Sequence, residues 1–186
     1  MNAGYVAGRV WAMAATSTDP GPAREILRDS FTRIIEHVDG LTDDLPDEVS
    51  FYRPTPEANS ICWLIWHSAR IQDAQLADIA GIEQVWFSGG WVDRFALDLP
   101  RDAHGYGHTA AEVAQVRAPA DLLAGYYHAV HKMSLEYVAS VAADELARVV
   151  DENWSPPVTA SARLVSIIDD CAQHLGQANY VLGIAP

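Results

Sequence analysis

Four stretches of this chain carry apolar residues at alternating steps of three and four, and no other feature constrains its fold as strongly. Leu27, Phe31, Ile34, Val38, Leu41 and Leu45 make the first seam, behind the Asp and Pro start signal at Asp19 to Pro22. The second opens behind Ser60, a good N-cap, with the unbroken apolar run Ile61 to Trp66 and continues to about Ala80. A helix that is apolar all round is buried all round. Leu123, Tyr126, Val130, Met133, Tyr137 and Val141 form the third seam, starting near Pro119. Leu164, Ile168, Cys171, Leu175, Ala178 and Leu182 form the fourth, in a helix expected over Arg163 to Ile184. With no convincing strand pattern, the predicted fold is all-α, an antiparallel four-helix bundle.

The connections are unequal. Ser50 to Asn59 is a linker with Pro54 and Pro56, and Asp144 to Pro157 is a polar loop. The connection between helices two and three, Gly81 to Pro119, is long and rich in aromatics, glycine and histidine, including Trp86, Trp91, His104 and His108. Loops of that length are usually functional, so it is expected to cover one end of the bundle, with room for short helices inside it. Residues 1–20 read as an N-terminal extension, since the apolar patch Val10 to Ala15 is too short for a signal-peptide core or a bilayer span. Residues 21–186 are then one domain.

Charge excludes some partners. A net charge of -13 leaves no basic stripe for nucleic acid and disfavours an anionic membrane surface. Cys62 and Cys171 sit inside apolar helical runs as small core residues, in keeping with a reducing cytoplasm.

Asp170 and His174 are one helical turn apart, so a carboxylate and an imidazole share one side of the last helix. Divalent ions such as Zn2+ take imidazole nitrogen and carboxylate oxygen, and catalytic sites typically use three protein ligands. His67, directly after the most buried part of helix two, is the best candidate for a third ligand from a second helix. The spacing leaves plainer readings open: His67 as a hydrogen-bonded core residue, and Asp170 with His174 as a surface ion pair. His174 lies on the flank of its seam, in line with Ile167 and Val181. Among the other histidines, His128 points away from its seam and His131 lies well off it, although the pair could form a second metal site. His104 and His108 either reach a substrate or are exposed, and His37 reads as surface.

The pattern N-S-I-x-W-L-I-W-H at Asn59 to His67, followed by Arg70 and Asp73, resembles the second helix of the DinB-like superfamily. The closing D-x-x-x-H-x-G-Q-A-x-Y of Asp170 to Tyr180 resembles its fourth helix, as does Pro156 to Thr159 before it. The resemblance covers Ala23 to the C-terminus. It implies a four-helix bundle, often homodimeric, with a divalent ion held by His67, Asp170 and His174. Asp170 stands where His or Glu is commoner in that superfamily, which puts metal identity and affinity in question.

The resemblance also implies chemistry. Members are similar to mycothiol-dependent isomerases and to S-transferases that use low-molecular-weight thiols such as mycothiol on a small-molecule substrate. Zn2+ is the favoured ion, with Ni2+ or Mn2+ as others. A metal-activated thiolate is the expected nucleophile, and the other reading is a non-catalytic metal-binding or small-molecule-binding stress protein. Trp63 and Trp91 are candidates to line the apolar part of the pocket, and Arg70 and Arg163 to grip a carboxylate. Each of the four could instead serve packing or a salt bridge.

Overall fold

The computed structural model describes residues 19–186, so the expected extension lies almost wholly outside the described residues. Four long helices form the bundle: α1 (Gly21–Thr42), α3 (Ile61–Ala80), α7 (Ala120–Ser140) and α9 (Ala160–Ile184). Between them lie the short helices α2 (Asp47–Ser50), α4 (Val85–Ser88), α5 (Trp91–Phe95), α6 (Ala110–Gln115) and α8 (Ala143–Ala147). The expected polar loop after helix three holds α8 and a two-stranded hairpin, β1 (Val149–Asp151) with β2 (Val158–Thr159).

Helix α3 packs along α9 and α7, and α1 packs along α7 and α9. Helices α1 and α7 are antiparallel, since the Arg24 side chain reaches the Val141 carbonyl at one end and Asp39 meets His128 toward the other. Helices α3 and α9 are antiparallel too, with Cys171 against Ser68 and Gln72. In contrast, α3 and α7 run the same way: Cys62 meets Ala118 and Gln72 meets Ser134. A parallel neighbour requires the chain to return along the full helix, about 30 Å for twenty residues. The long connection from Gly81 to Pro119 makes that return, and α4 and α5 pack against each other and against α7 on the way.

Local chemistry sets the ends. The Ser60 hydroxyl accepts the Trp63 amide at 3.1 Å to start α3, and Gly81, at φ 65°, ends it in the left-handed conformation. Thr159 caps α9, which begins at Ala160, three residues before the expected start, by accepting the Ala162 amide. Helix α3 is buried along almost its whole length, from Ile61 through Asp73 and on to Ile79. On α9 the buried line runs through Leu164, Ile167, Cys171, Leu175, Ala178 and Val181, so Ile167 and Val181 replace the expected Ile168 and Leu182. The reason is that α9 faces both α1 and α3, which widens its buried face beyond one seam. On α7, Tyr127 and Val138 are buried and Tyr137 is half-buried, for the same reason.

Candidate metal centre

Burial of Ile167 and Val181 decides where His174 points. Each lies seven residues from His174, nearly the same angle on a helix, so the imidazole is turned toward α3 rather than into solvent. One turn earlier Asp170 follows it. On the facing helix, His67 is 5 % exposed and follows Trp63 by one turn.

One ligand atom from each of His67, Asp170 and His174 can be chosen so that all lie within 4.8 Å of one another. His174 Nε2 stands 3.6 Å from Asp170 Oδ1, and the two imidazole centroids are 4.8 Å apart. The Trp63 indole stacks on His67 at 4.5 Å and meets His174 edge-on, closing one side of the cluster. No other group of three or more such residues is assembled among the described residues, and His128 and His131 belong to none. His128 is exposed and paired with Asp39 at 2.8 Å, and His37 is exposed.

The partners of each imidazole assign its tautomer. His67 Nδ1 faces the His104 carbonyl at 2.5 Å, and His174 Nδ1 faces Gln177 Oε1 at 3.2 Å. Both Nδ1 atoms therefore donate, which leaves the Nε2 lone pairs free to bind an ion. His104 and His108 are set the opposite way. His104 Nδ1 accepts the Tyr106 amide, and His108 Nδ1 accepts the Trp63 indole N–H at 3.3 Å, so in their neutral forms both carry the proton on Nε2. Neither belongs to the group of three, and the Nε2–H of each is left to donate.

Asp170 Oδ2 is buried and has no hydrogen-bond partner. A buried carboxylate oxygen left unpaired is costly, and a cation between Asp170 and the two Nε2 atoms would remove that cost. Two inward lone pairs, an orphaned carboxylate oxygen and fixed outer hydrogen bonds fit a divalent ion.

Burial drives the His67 pKa from 6.5 to about 4, against the bond to the His104 carbonyl. The sign follows directly. Below pH 6.5 the unfolded chain protonates His67 and the folded chain does not, so metal-free protein loses stability as pH falls from about 6.5 to about 4. The shift corresponds to about 3 kcal/mol. Burial pushes the Asp170 carboxyl up, which works in the opposite direction. Urea denaturation of metal-free wild type and His67→Phe across that range should show the variant with the shallower acid loss; equal slopes would contradict the assignment.

The expected substrate contacts are placed as follows. Trp63 belongs to the cluster wall. Arg70 is fully buried and its donors go to the Ala103 and Asp102 carbonyls, Gln84 and Tyr126. Trp91 is half-buried, in contact with Tyr126 and with Arg94 over its ring. Arg163 pairs with Asp151 of the hairpin at 3.0 Å. Of these four, only Trp63 touches the cluster. Spacing missed the His104 carbonyl, Gly105 and Gln177, whose roles depend on a loop docking across α3 and on the rotation of α9.

Cys62 and Cys171 are both free and buried, and burial pushes each thiol up to about 12. Neither is a thiolate at neutral pH. A groove of about 570 Å³ lies between the linker, Leu64 and the last turns of α9; it is lined by none of the three cluster residues but by Gln177, which bonds His174 Nδ1. Its polar lining is the carboxamides of Asn59, Gln173 and Gln177 and the Tyr180 hydroxyl, with no charged side chain. A smaller cavity of about 240 Å³ lies beyond Trp66, toward Trp86 and Leu97, and touches none of the three cluster residues. No helix among the described residues is long and apolar enough to cross a membrane.

Comparison with known proteins agrees with this architecture. A family model described as mycothiol S-transferase matches residues 26–182. A crystal structure described as that of the conserved protein of locus from Enterococcus faecalis is similar, with a TM-score of 0.81 and 33% identity, covering 87% of this chain and 95% of that one. No curated protein matches. The match spans the whole bundle, both helices of the cluster included, and the chain belongs to the mycothiol S-transferase family, of DinB-like type.

Proposed function

We propose that this chain is a divalent-metal-dependent S-transferase that joins a low-molecular-weight thiol, of which mycothiol is the type its family name suggests, to an electrophilic small molecule. The observation that carries the reading is the orphaned Asp170 Oδ2 facing two imidazoles held in the metal-binding tautomer. His67, Asp170 and His174 are the ligands, with Zn2+ the favoured ion. A bound divalent ion would lower the pKa of a thiol that reaches it and so supply thiolate at neutral pH.

The chain's own residues account for the rest. Its two cysteines are held protonated, so the reacting sulfur comes from a cofactor. Trp63 shields the cluster on one side and keeps water from its face. The uncharged groove beside Gln177, the residue that bonds His174 Nδ1, receives the body of a neutral, hydrogen-bonding thiol, while His108 offers an N–H to an oxygen of the electrophile.

The test is conjugation of mycothiol to 1-chloro-2,4-dinitrobenzene, followed by product absorbance. Turnover should be lost on chelation and restored by adding Zn2+, Ni2+ or Mn2+. Stoichiometric metal without conjugation of this or any of a panel of electrophiles would reduce the protein to a metal-binding one.

A further inference from the structure

Four successive main-chain carbonyls, those of Arg101, Asp102, Ala103 and His104, are each claimed by a side chain from α3 or α4. Trp86 Nε1 donates to Arg101 O at 2.7 Å. Arg70 donates through Nη2 to Asp102 O at 3.4 Å and through Nε to Ala103 O at 3.0 Å. His67 Nδ1 donates to His104 O at 2.5 Å. A run of loop backbone that begins in the turn at Arg101–Asp102 is thus pinned at four points in a row, and the last donor, His67, is a residue of the candidate metal cluster.

The donors are themselves fixed. The Arg70 guanidinium lies 4.8 Å over the Trp86 ring, and its Nη1 bonds Gln84 and Tyr126 and faces Asp73. Asp73 in turn accepts the amides of Val85 and Trp86, which places Trp86. The next residue, Gly105, is buried with φ at 97°, and a Cβ there would sit 2.5 Å from His67 Nδ1 and 3.0 Å from the Trp63 ring. Only glycine lets the loop come down onto the imidazole.

We propose that Trp86, Arg70 and Gly105 are positioning residues for the metal centre: Trp86 and Arg70 hold the loop, and Gly105 lets it approach, so that the His104 carbonyl fixes the tautomer and orientation of His67, although none of the three supplies a ligand atom. Arg70 thereby acts on the centre without touching substrate. The proposal rests on the metal reading above for its consequence, but the orientation of His67 is a property of the metal-free chain. Outer-shell partners of this kind alter metal affinity by roughly 10–100-fold when removed.

Two readouts separate the possibilities: the Nδ1–H signal of His67 in metal-free, 15N-labelled protein, and Co2+ titration with its visible spectrum. The variants are Gly105→Ala, Arg70→Lys and Trp86→Phe, each checked for fold by thermal denaturation. Wild type should show a slowly exchanging Nδ1–H and bind Co2+. Gly105→Ala should lose that signal and bind Co2+ roughly 10–100-fold more weakly with an altered spectrum. Arg70→Lys should lose less, and Trp86→Phe, which removes one N–H at the far end of the run, least. Folded Gly105→Ala and Trp86→Phe proteins with wild-type Co2+ affinity, spectrum and His67 signal would overturn the proposal. Should Gly105→Ala not fold, Trp86→Phe and Arg70→Lys decide alone, and wild-type values in both would overturn it equally. Wild type that takes up no Co2+, yet shows the Nδ1–H signal and loses it in the variants, would uphold the positioning and sink the metal reading.

Discussion

Protein carrying His174→Ala is expected to contain no stoichiometric metal and to keep its helical content. Of the three proposed ligands His67 and Asp170 would remain, with no second imidazole beside Asp170 Oδ1. Removing a ligand should cost more affinity than the roughly 10–100-fold attached to an outer-shell partner. The fold should survive because His174 is half-buried at the edge of the α3–α9 contact, whose core is Leu164, Ile167, Cys171, Leu175 and Ala178. Elemental analysis per chain, on protein purified without chelator or an affinity-column metal, makes the measurement. His128→Ala is the control: it breaks only a surface pair with Asp39 and should retain all the metal. Unchanged metal in His174→Ala would remove this residue from the centre.

The second large effect is on stability. Asp73→Ala should cost about 3–5 kcal/mol, the range found when one partner of a buried charge pair is removed. Its carboxylate accepts the Val85 amide at 2.8 Å, the Trp86 amide at 2.7 Å and the Tyr126 hydroxyl at 2.8 Å, and it faces Arg70 Nη1 at 3.6 Å. Deleting it strands two amides and the Tyr126 hydroxyl proton in the interior and leaves the buried Arg70 charge without the carboxylate that faces it. Burial pushes the Asp73 carboxyl up, and the Tyr126, Trp86, Val85 and Arg70 contacts oppose that shift, so the charge is tolerated only with those partners present. Urea denaturation should show the loss as a lower midpoint, with a fall in Tm of roughly 6–20 °C for a domain of this size. A loss under about 1 kcal/mol would mean that water or a rearranged Arg70 replaces the carboxylate.

The two expectations bear on different parts of one structure. His174 belongs to the proposed centre, whereas Asp73 and Arg70 belong to the scaffold that docks the long connection beside it. Arg70, first a candidate to grip a carboxylate, is occupied by loop backbone, and Asp73, three residues on, by the start of α4.

Much was legible in the sequence for simple physical reasons. A helix repeats every 3.6 residues, so four seams of apolar side chains specify four buried faces. Ser60 and Gly81 mark the ends of α3 because an N-cap hydroxyl and a left-handed glycine do chemistry that is local to the chain. The i,i+4 spacing of Asp170 and His174 is likewise local, and the structure brings the pair within 4.8 Å of His67.

Tertiary structure decided what depends on neighbours far away in the chain. The rotation of α9 buries Ile167 and Val181 and turns His174 inward because that helix packs on two others, and no single-helix pattern contains that information. The parallel course of α3 and α7 follows from where the long connection re-enters the bundle. The roles of the His104 carbonyl and Gly105 arise from a backbone segment 37 residues from His67 settling onto its ring. Residue types and their periods determined the helices and the ligand candidates; the docking of loop on helix determined which nitrogen of each imidazole is free, because a tautomer is set by the partner across the gap and not by the chain that carries it.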